Sequence, residues 1–305
     1  MAQTLLQLVQ NFALETGLFA SPTAVASSAD NGILQAQALL NAAGGEIARE
    51  YDWQALVKQN IFTMPAAVTF TGDTVLGSST ITNASINLTS YGTGVFAITG
   101  IGLNQGVYVN STTSSTAVCS QPASSTATGT TFSLFKVKYA MPSDYDRKID
   151  RTDWDKSRHW EMLGPETAQQ WEWLLSGYIA SGPRIRYRIF GAYFQIWPPN
   201  SNSDTLGFEY VSNAWAASVS GTAQTSMTSD TDTCIFPDRL MVLALKRKMW
   251  EIKGFDTTAI ERDYQTQLNI AKANDAGSPS LSMAPRISSS LIGWQNIPDT
   301  GFGPP

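Results

Sequence analysis

The chain has 305 residues and a formal net charge of −5, and charged residues make up 15% of it against a typical ~25%. Hydrophobic residues at 43% suffice for a packed core, while Ser, Thr, Asn and Gln stand where Lys and Glu usually do. This composition suits a virion or extracellular structural protein better than a cytosolic enzyme. The lack of a basic run argues against a sequence-wide nucleic-acid binder.

In chain order, Thr4 to Glu15 reads as a short amphipathic helix. Leu5, Leu8, Val9, Phe12 and Ala13 form one stripe, and Gly17 stands at the C-terminal cap. Residues 18–30 form a Ser/Ala loop with Pro22. A longer helix starts at Asp30-Asn31, with Ile33, Leu34, Leu39, Leu40, Ile47 and Tyr51 at its apolar positions. Gly44-Gly45 weakens it mid-way, by roughly 1 kcal/mol per Gly against Ala, and predicts a kink or the close approach of another backbone.

From Gln59 to Phe135 the only charged residue is Asp73. A Thr/Val/Ile-rich stretch of this kind reads as a small all-β module inserted into a loop of a host domain. Glycines at 72, 92, 94, 100, 102, 106 and 129 punctuate it as turns. Short strands are expected at 79–82, 94–98 and 107–109, around a thin core.

Charge returns at 136–158, where Asp144, Asp146, Asp150, Asp153 and Asp155 interleave with Arg147, Lys148, Arg151, Lys156 and Arg158. Pro165-Glu166-Thr167 opens a helix running to about Tyr178. Arg184 to Trp197 and Thr205 to Val211 read as two strands of an antiparallel hairpin joined by the polar loop 198–204. Residues 213–233 read as a polar connection with little regular structure. Pro237 to Lys253 is a helix stopped by Gly254, and Thr258 with Glu261 forms a capping box for a last helix striped by Ile260, Tyr264, Leu268 and Ala271. From Gly277 to Pro305 the chain is rich in Ser, Pro and Gly and reads as an extended tail.

The expected fold class is therefore α+β: a helical core of four to five helices with an antiparallel hairpin, an inserted all-β module and a tail. The domain division is a discontinuous core at 1–59 and 136–276, a β-sandwich-like module at 60–135, and the tail at 277–305.

Chemistry is sparse. His159 is the only histidine, and no G-x-S-x-G, P-loop or complete G-x-G-x-x-G occurs. Cys119 and Cys234 form no metal pattern and are expected to be reduced. Ser229-Asp230-Thr231-Asp232-Thr233 lacks the Gly and terminal Glu of a calcium loop and reads as a turn. The Asp144–Asp155 run has the residue types of a paired-carboxylate hydrolase, but its interleaved cations favour salt bridges. No catalytic residue, cofactor or metal site is expected. Arg184, Arg186 and Arg188 alternate on one strand, so they share a face suited to a partner's carboxylates. In the tail, Leu281, Met283, Ile287, Leu291, Ile292 and Trp294 are scattered apolar anchors for a partner. The N-terminus lacks the features of a signal peptide, and no apolar run reaches the ~20 residues of a membrane span, so synthesis in the cytoplasm and no membrane partner are expected.

One family brings these pieces together. Glu46 to Leu56 (EIAREYDWQAL), Pro142 to Arg147 (PSDYDR), Trp154, Gly164-Pro165, Tyr187 to Gly191 (YRIFG), Phe208 to Ser212 (FEYVS) and Leu245 to Trp250 (LKRKMW) follow one another in an order that resembles the head-to-tail adaptor (connector) proteins of short-tailed bacteriophages, the podovirus-type tail accessory factors. The resemblance implies a non-enzymatic virion protein at the head–tail junction, made in the host bacterial cytoplasm. It implies a dodecameric ring beneath the portal protein that continues the DNA channel, contacts the tail nozzle or tube and tail fibres, passes DNA without sequence-specific binding, and serves genome ejection. A second reading is a β-domain adhesin that recognises host glycans. It is weakened because the inserted stretch holds only Tyr91 and Tyr108 as ring platforms besides its phenylalanines, and no Trp.

Overall fold

The computed structural model describes residues 2–91, 94–176, 184–199 and 203–275. Among them are five α-helices: α1 (Leu5–Thr16), α2 (Asn31–Glu50), α3 (Ala168–Leu175), α4 (Asp238–Lys253) and α5 (Thr258–Asp275). With several small antiparallel sheets, they make an α+β fold. The described residues divide into two units, one of residues 2–58, 143–149 and 209–275 and the other of 59–142 and 150–208.

The first unit is built on helices whose ends are written locally. Thr4 caps α1, accepting from Gln7 N while the Gln7 side chain accepts from Thr4 N, and Gly17 closes the helix in the left-handed conformation. The buried face of α1 is Leu5, Leu8, Val9, Phe12 and Ala13. Asp30 caps α2 by accepting from Gly32 N at 2.7 Å. On α2, Leu34 is 41% exposed rather than part of the apolar stripe, and Ala36, Ala43, Gly44 and Ala48 complete the buried face. Gly254 stops α4. The last helix is capped from outside the expected box: Asp256 Oδ1 accepts from Thr258 N at 3.0 Å and Thr258 Oγ1 at 2.7 Å, which makes Thr258 the first helical residue rather than its cap.

These helices share one core with Trp53, Val211, Trp215, Met227 and Phe236. The segment expected to be irregular, 213–233, carries strands Ala216–Ala217 and Ala223–Gln224, and Ala216–Ala217 pairs with both Ala223–Gln224 and Thr233–Cys234. Composition hid this because the anchors are few: Trp215 and Met227 are 1% and 0% exposed in an otherwise polar run. Gly44 admits the Trp215 ring, because a Cβ there would collide with the indole. The mid-helix glycine thus serves the approach of a side chain, with no break in the helix.

Residues 68–136 of the second unit carry two three-stranded antiparallel sheets. In one, Ala127–Lys136 lies between Val68–Thr74 and Phe96–Gly100; in the other, Ala117–Cys119 lies between Thr80–Ile81 and Val109–Thr112. Their inward residues, among them Phe70, Ile81, Ile98, Val109, Phe132 and Leu134, form a single cluster. Asp73, the lone charge, accepts from Asn83 Nδ2 at 2.5 Å and Gly129 N at 2.7 Å, so it tethers two turns. The Asn83 and Gly129 bonds hold its carboxyl below the usual range. Gly106, at φ +74°, lies so close to the backbone of Leu175 that a Cβ would collide with its carbonyl, which brings this loop against the end of α3. Helix α3 is shorter than expected and is capped by Thr167 with Gln170 in a reciprocal pair.

The expected hairpin is placed differently. Arg186–Phe190 turns at Gly191 and pairs with Tyr193–Trp197, whose other edge takes Lys138–Ala140. The strand Thr205–Ser212 pairs with Trp154–Asp155 through Leu206 and Gly207, and with Tyr145–Lys148 through Tyr210 to Ser212. Gly191, at φ +58°, supplies the turn that splits the long strand. Tyr187, Phe194 and Phe208 then stack in sequence, each adjacent pair 4.9 Å apart between centroids. This packing and its pairings group residues 150–208 with 59–142.

Two consecutive glycines of α2 give opposite expectations. Gly44→Ala should destabilise by about 1–3 kcal/mol through overpacking against Trp215. Gly45→Ala, with nothing within 4 Å of its added Cβ, should stabilise by about 0.5–1 kcal/mol. Denaturant midpoints of the two variants, compared with the parent, check this.

Candidate functional site

A concavity of the first unit is lined by residues of α2 and of the turn Ser212 to Trp215. The turn is held by one carboxylate. Asp144 accepts from Lys58 Nζ at 2.6 Å, Ser212 Oγ at 2.7 Å and Tyr210 OH at 2.9 Å, and its carbonyl accepts from Asn213 N at 2.8 Å. Burial pushes the Asp144 carboxyl up, but Lys58, Ser212 and Tyr210 more than offset it and bring it to about 2. Burial and the same carboxylate push the Tyr210 hydroxyl up to about 12.

The cleft is about 660 Å³. Ala42, Gly45 and Ala48 floor one wall, Asn213 and Trp215 the other, and Glu46, Arg49, Glu50 and Asp146 stand among its lining residues. Two buried polar atoms of these lining side chains, Trp215 Nε1 and Asn213 Oδ1, have no hydrogen-bond partner among the described residues. The charged side chains are engaged: Glu46 with Lys248 at 2.6 Å, Glu50 with Lys272 at 3.1 Å, and Arg49 with Asp146 at 3.4 Å.

The residues singled out from sequence fall in several places. Arg186 pairs with Glu166 at 2.6 Å, and the Arg188 guanidinium lies 5.1 Å from the Phe190 ring centroid. Ile185 and Tyr187 are buried, and Arg184 lies before the strand. Leu281, Met283, Ile287, Leu291, Ile292 and Trp294 lie outside the described residues. The Asp144–Asp155 run is dispersed: Asp144 and Asp146 belong to the first unit, Asp153 accepts from Tyr187 OH at 2.7 Å, and Asp155 accepts from Ser157 N and Arg158 N at 3.0 and 3.1 Å. Asp230 accepts from Val25 N and Ala26 N, and Asp232 from Thr228 N and Ser229 N, which makes the Ser229–Thr233 segment a structural turn. Among the described residues no His/Cys/Asp/Glu group is arranged for a metal. Both cysteines are free and buried, and burial pushes their thiols up, to about 11 for Cys119 and about 12 for Cys234, so neither is a reactive thiolate at neutral pH.

The second unit has an uncharged cavity of about 450 Å³ lined by Leu103, Asn104, Gln105, Phe135, Trp197 and Pro198 among others. Trp197, contributed from outside the inserted stretch, is 6% exposed, so its ring is occupied by packing and offers little face to a sugar.

The Trp215–Asn213 wall was missed by sequence reasoning. Its only local signal was a lone Trp in a polar run, and the cleft joins positions near 45, 146 and 213 that nothing in the sequence brings together.

A family model described as SU10 adaptor protein matches residues 3–286. The chain belongs to the SU10 adaptor protein family. It is accordingly a phage structural adaptor-type protein and a virion component, associated with other head or tail components. No curated protein matches it. No described helix of this adaptor is long and apolar enough to cross a membrane.

Asp144→Asn should cost about 1–3 kcal/mol at neutral pH by weakening its charge-assisted bonds. Because the folded carboxyl titrates at about 2, below its ordinary 3.8, its contribution is present above the ordinary value and is lost as pH falls through about 2. The stability gap between parent and variant should therefore be flat from pH 7 to 5 and shrink below about 4, as read from urea midpoints at each pH.

Proposed function

We propose that this adaptor is a podovirus-type head-to-tail connector subunit: it forms a ring, a dodecamer, between portal protein and tail nozzle and continues the DNA channel through which the genome is ejected. The family membership over residues 3–286 carries this reading. The net charge of −5 supports a channel that lets DNA pass without sequence-specific binding, since an acidic surface offers phosphates no counter-charge. Ring contacts are heterologous, head to tail, and close by rotation.

Within this reading the functional division is a helical and β core at 1–59 and 136–276, an inserted module at 60–135 available to tail fibres or neighbouring subunits, and a tail at 277–305. The apolar residues of the tail, Leu281, Met283, Ile287, Leu291, Ile292 and Trp294, are its partner anchors. Arg184, Arg186 and Arg188 form a salt-bridge surface toward a neighbour. The protein is made in the host bacterial cytoplasm and carried in the virion.

Quantitative mass spectrometry of purified particles should give close to one copy per portal subunit; a large excess would indicate capsid decoration, and absence from particles would overturn the reading. A chain ending at Asp275, which keeps the Asp275 carboxylate on Gln54 N and Ala55 N, should fold and fail to join the portal. Trp294→Ala should weaken portal binding by about 2 kcal/mol.

A further inference from the structure

The hairpin of Arg186–Phe190 and Tyr193–Trp197 in the second unit carries charge, exposed rings and a strand edge at one place. Its register pairs Arg188 with Gln195 and Phe190 with Tyr193, and Gln195 in turn pairs with Lys138, so these side chains project on one face of the sheet. Phe190 is 58% and Tyr193 41% exposed. Arg186, on the same face, is neutralised by Glu166 at 2.6 Å. Arg188 and Lys138 form no ion pair among the described residues, and each lies over a ring instead: Arg188 is 5.1 Å from the Phe190 centroid and Lys138 5.1 Å from that of Tyr108. Arginine beside exposed aromatic rings is the composition of an energetic centre in a protein interface, and a cation without a counter-charge there favours a partner's carboxylate.

The backbone defines the form of that partner. Along the outer edge of Arg186–Phe190, Ile185 O accepts from Leu163 N, Tyr187 N donates to Leu163 O, and Tyr187 O accepts from Glu166 N, each at 2.9 Å. Alternate residues of a strand face the same edge, so Ile189 is the next in this row. The chain turns away at Thr167 into α3, and no backbone bond from a described residue reaches Ile189 on that side. An open strand edge is a template for an added strand. A residue of such a strand paired with Ile189 places its two neighbours on the face of Arg188 and Phe190, one beside each. The complementary segment therefore has an acidic and an apolar residue two positions apart. This chain spends its own carboxylates internally, Glu15, Glu46, Glu50 and Glu166 all pairing with its own cations, so the acid is assigned to a different protein.

We propose that an extended segment of a different virion protein adds as a strand at Ile189, with its Asp or Glu on Arg188 and its apolar side chain on Phe190. The proposal rests on the connector reading, in which the Arg184–Arg188 stretch meets a neighbour, and narrows that contact to Arg188, Ile189 and Phe190.

The test uses virions assembled with the full chain carrying photo-crosslinking p-benzoylphenylalanine in place of Phe190. Adducts should map to a different virion protein, at a residue with an Asp or Glu within two positions. Arg188→Glu in the same chain should lower the adduct yield per incorporated copy at least tenfold, and changing the mapped acid to Lys should restore it. If Arg188→Glu does not enter particles, Arg188→Gln is expected to lower the yield at least threefold. With the chain present at the connector ratio, four results overturn the proposal alone: no adducts, adducts to a segment without a nearby acid, adducts to DNA or to this chain's own sequence, and a yield indifferent to the Arg188 variants. A chain absent from particles overturns the connector reading and this proposal with it.

Discussion

A helical unit assembled from three separated stretches of chain has to be closed by contacts that chain connectivity does not supply, and Asp144 supplies the central one. Its carboxylate takes Lys58 from the first stretch and Tyr210 and Ser212 from the third, while its own backbone oxygen takes Asn213. Arg147 repeats the motif three residues on, donating to Asp52 at 2.8 Å and to the Tyr51 carbonyl at 2.9 Å. Ordering such stretches costs loop-closure entropy that grows only slowly with the length of what lies between. A few strong, charge-assisted bonds therefore suffice, and a long segment can depart and return without unmaking the unit. Every element of the cleft depends on this closure, because Asp144 fixes the turn that presents Asn213 and Trp215.

The same economy governs charge elsewhere. In the long stretch around Asp73 the single carboxylate is spent on Asn83 and Gly129, joining turns rather than facing solvent for its own sake. In the helical unit Glu15 receives both Arg239 and Lys246, and Glu46 receives Lys248 and Arg247. These exposed pairs add little energy each, but they fix how α1 and α2 lie on α4. A protein whose charges hold its own helices and turns in place, and whose cysteines and carboxylates are structurally engaged, has the character of an assembly component. Its family membership agrees with that character.

What was legible in the sequence was what local chemistry decides. Asp30, Gly17 and Gly254 mark helix ends by local chemistry, and the α1 stripe follows from a 3.6-residue period. The start of α5 was misread because Thr257 and Thr258 are both capping residue types, and only the backbone bond from Glu261 N to the Thr257 carbonyl decides between them. The long strand Ala127–Lys136 escaped notice because Gly129 and a run of Thr imitate a turn, while its identity as a central strand rests on partners 60 and 35 residues away in Val68–Thr74 and Phe96–Gly100. The hairpin was mispaired for the same reason: adjacency along the chain suggested one partner for Thr205–Ser212, and tertiary packing chose others. The cleft was illegible, since an unpaired indole N–H is a property of neighbours and not of a tryptophan.

The account's central claim is a position within the virus particle. Cryo-electron microscopy of intact virions, with the head–tail junction reconstructed on its own symmetry, tests it most directly. The account predicts a ring of density directly beneath the portal into which α1, α2, α4 and α5 fit as one repeated unit, surrounding the DNA channel. Density for this chain on the capsid surface or at the distal end of the tail, with the junction built from other proteins, would contradict it.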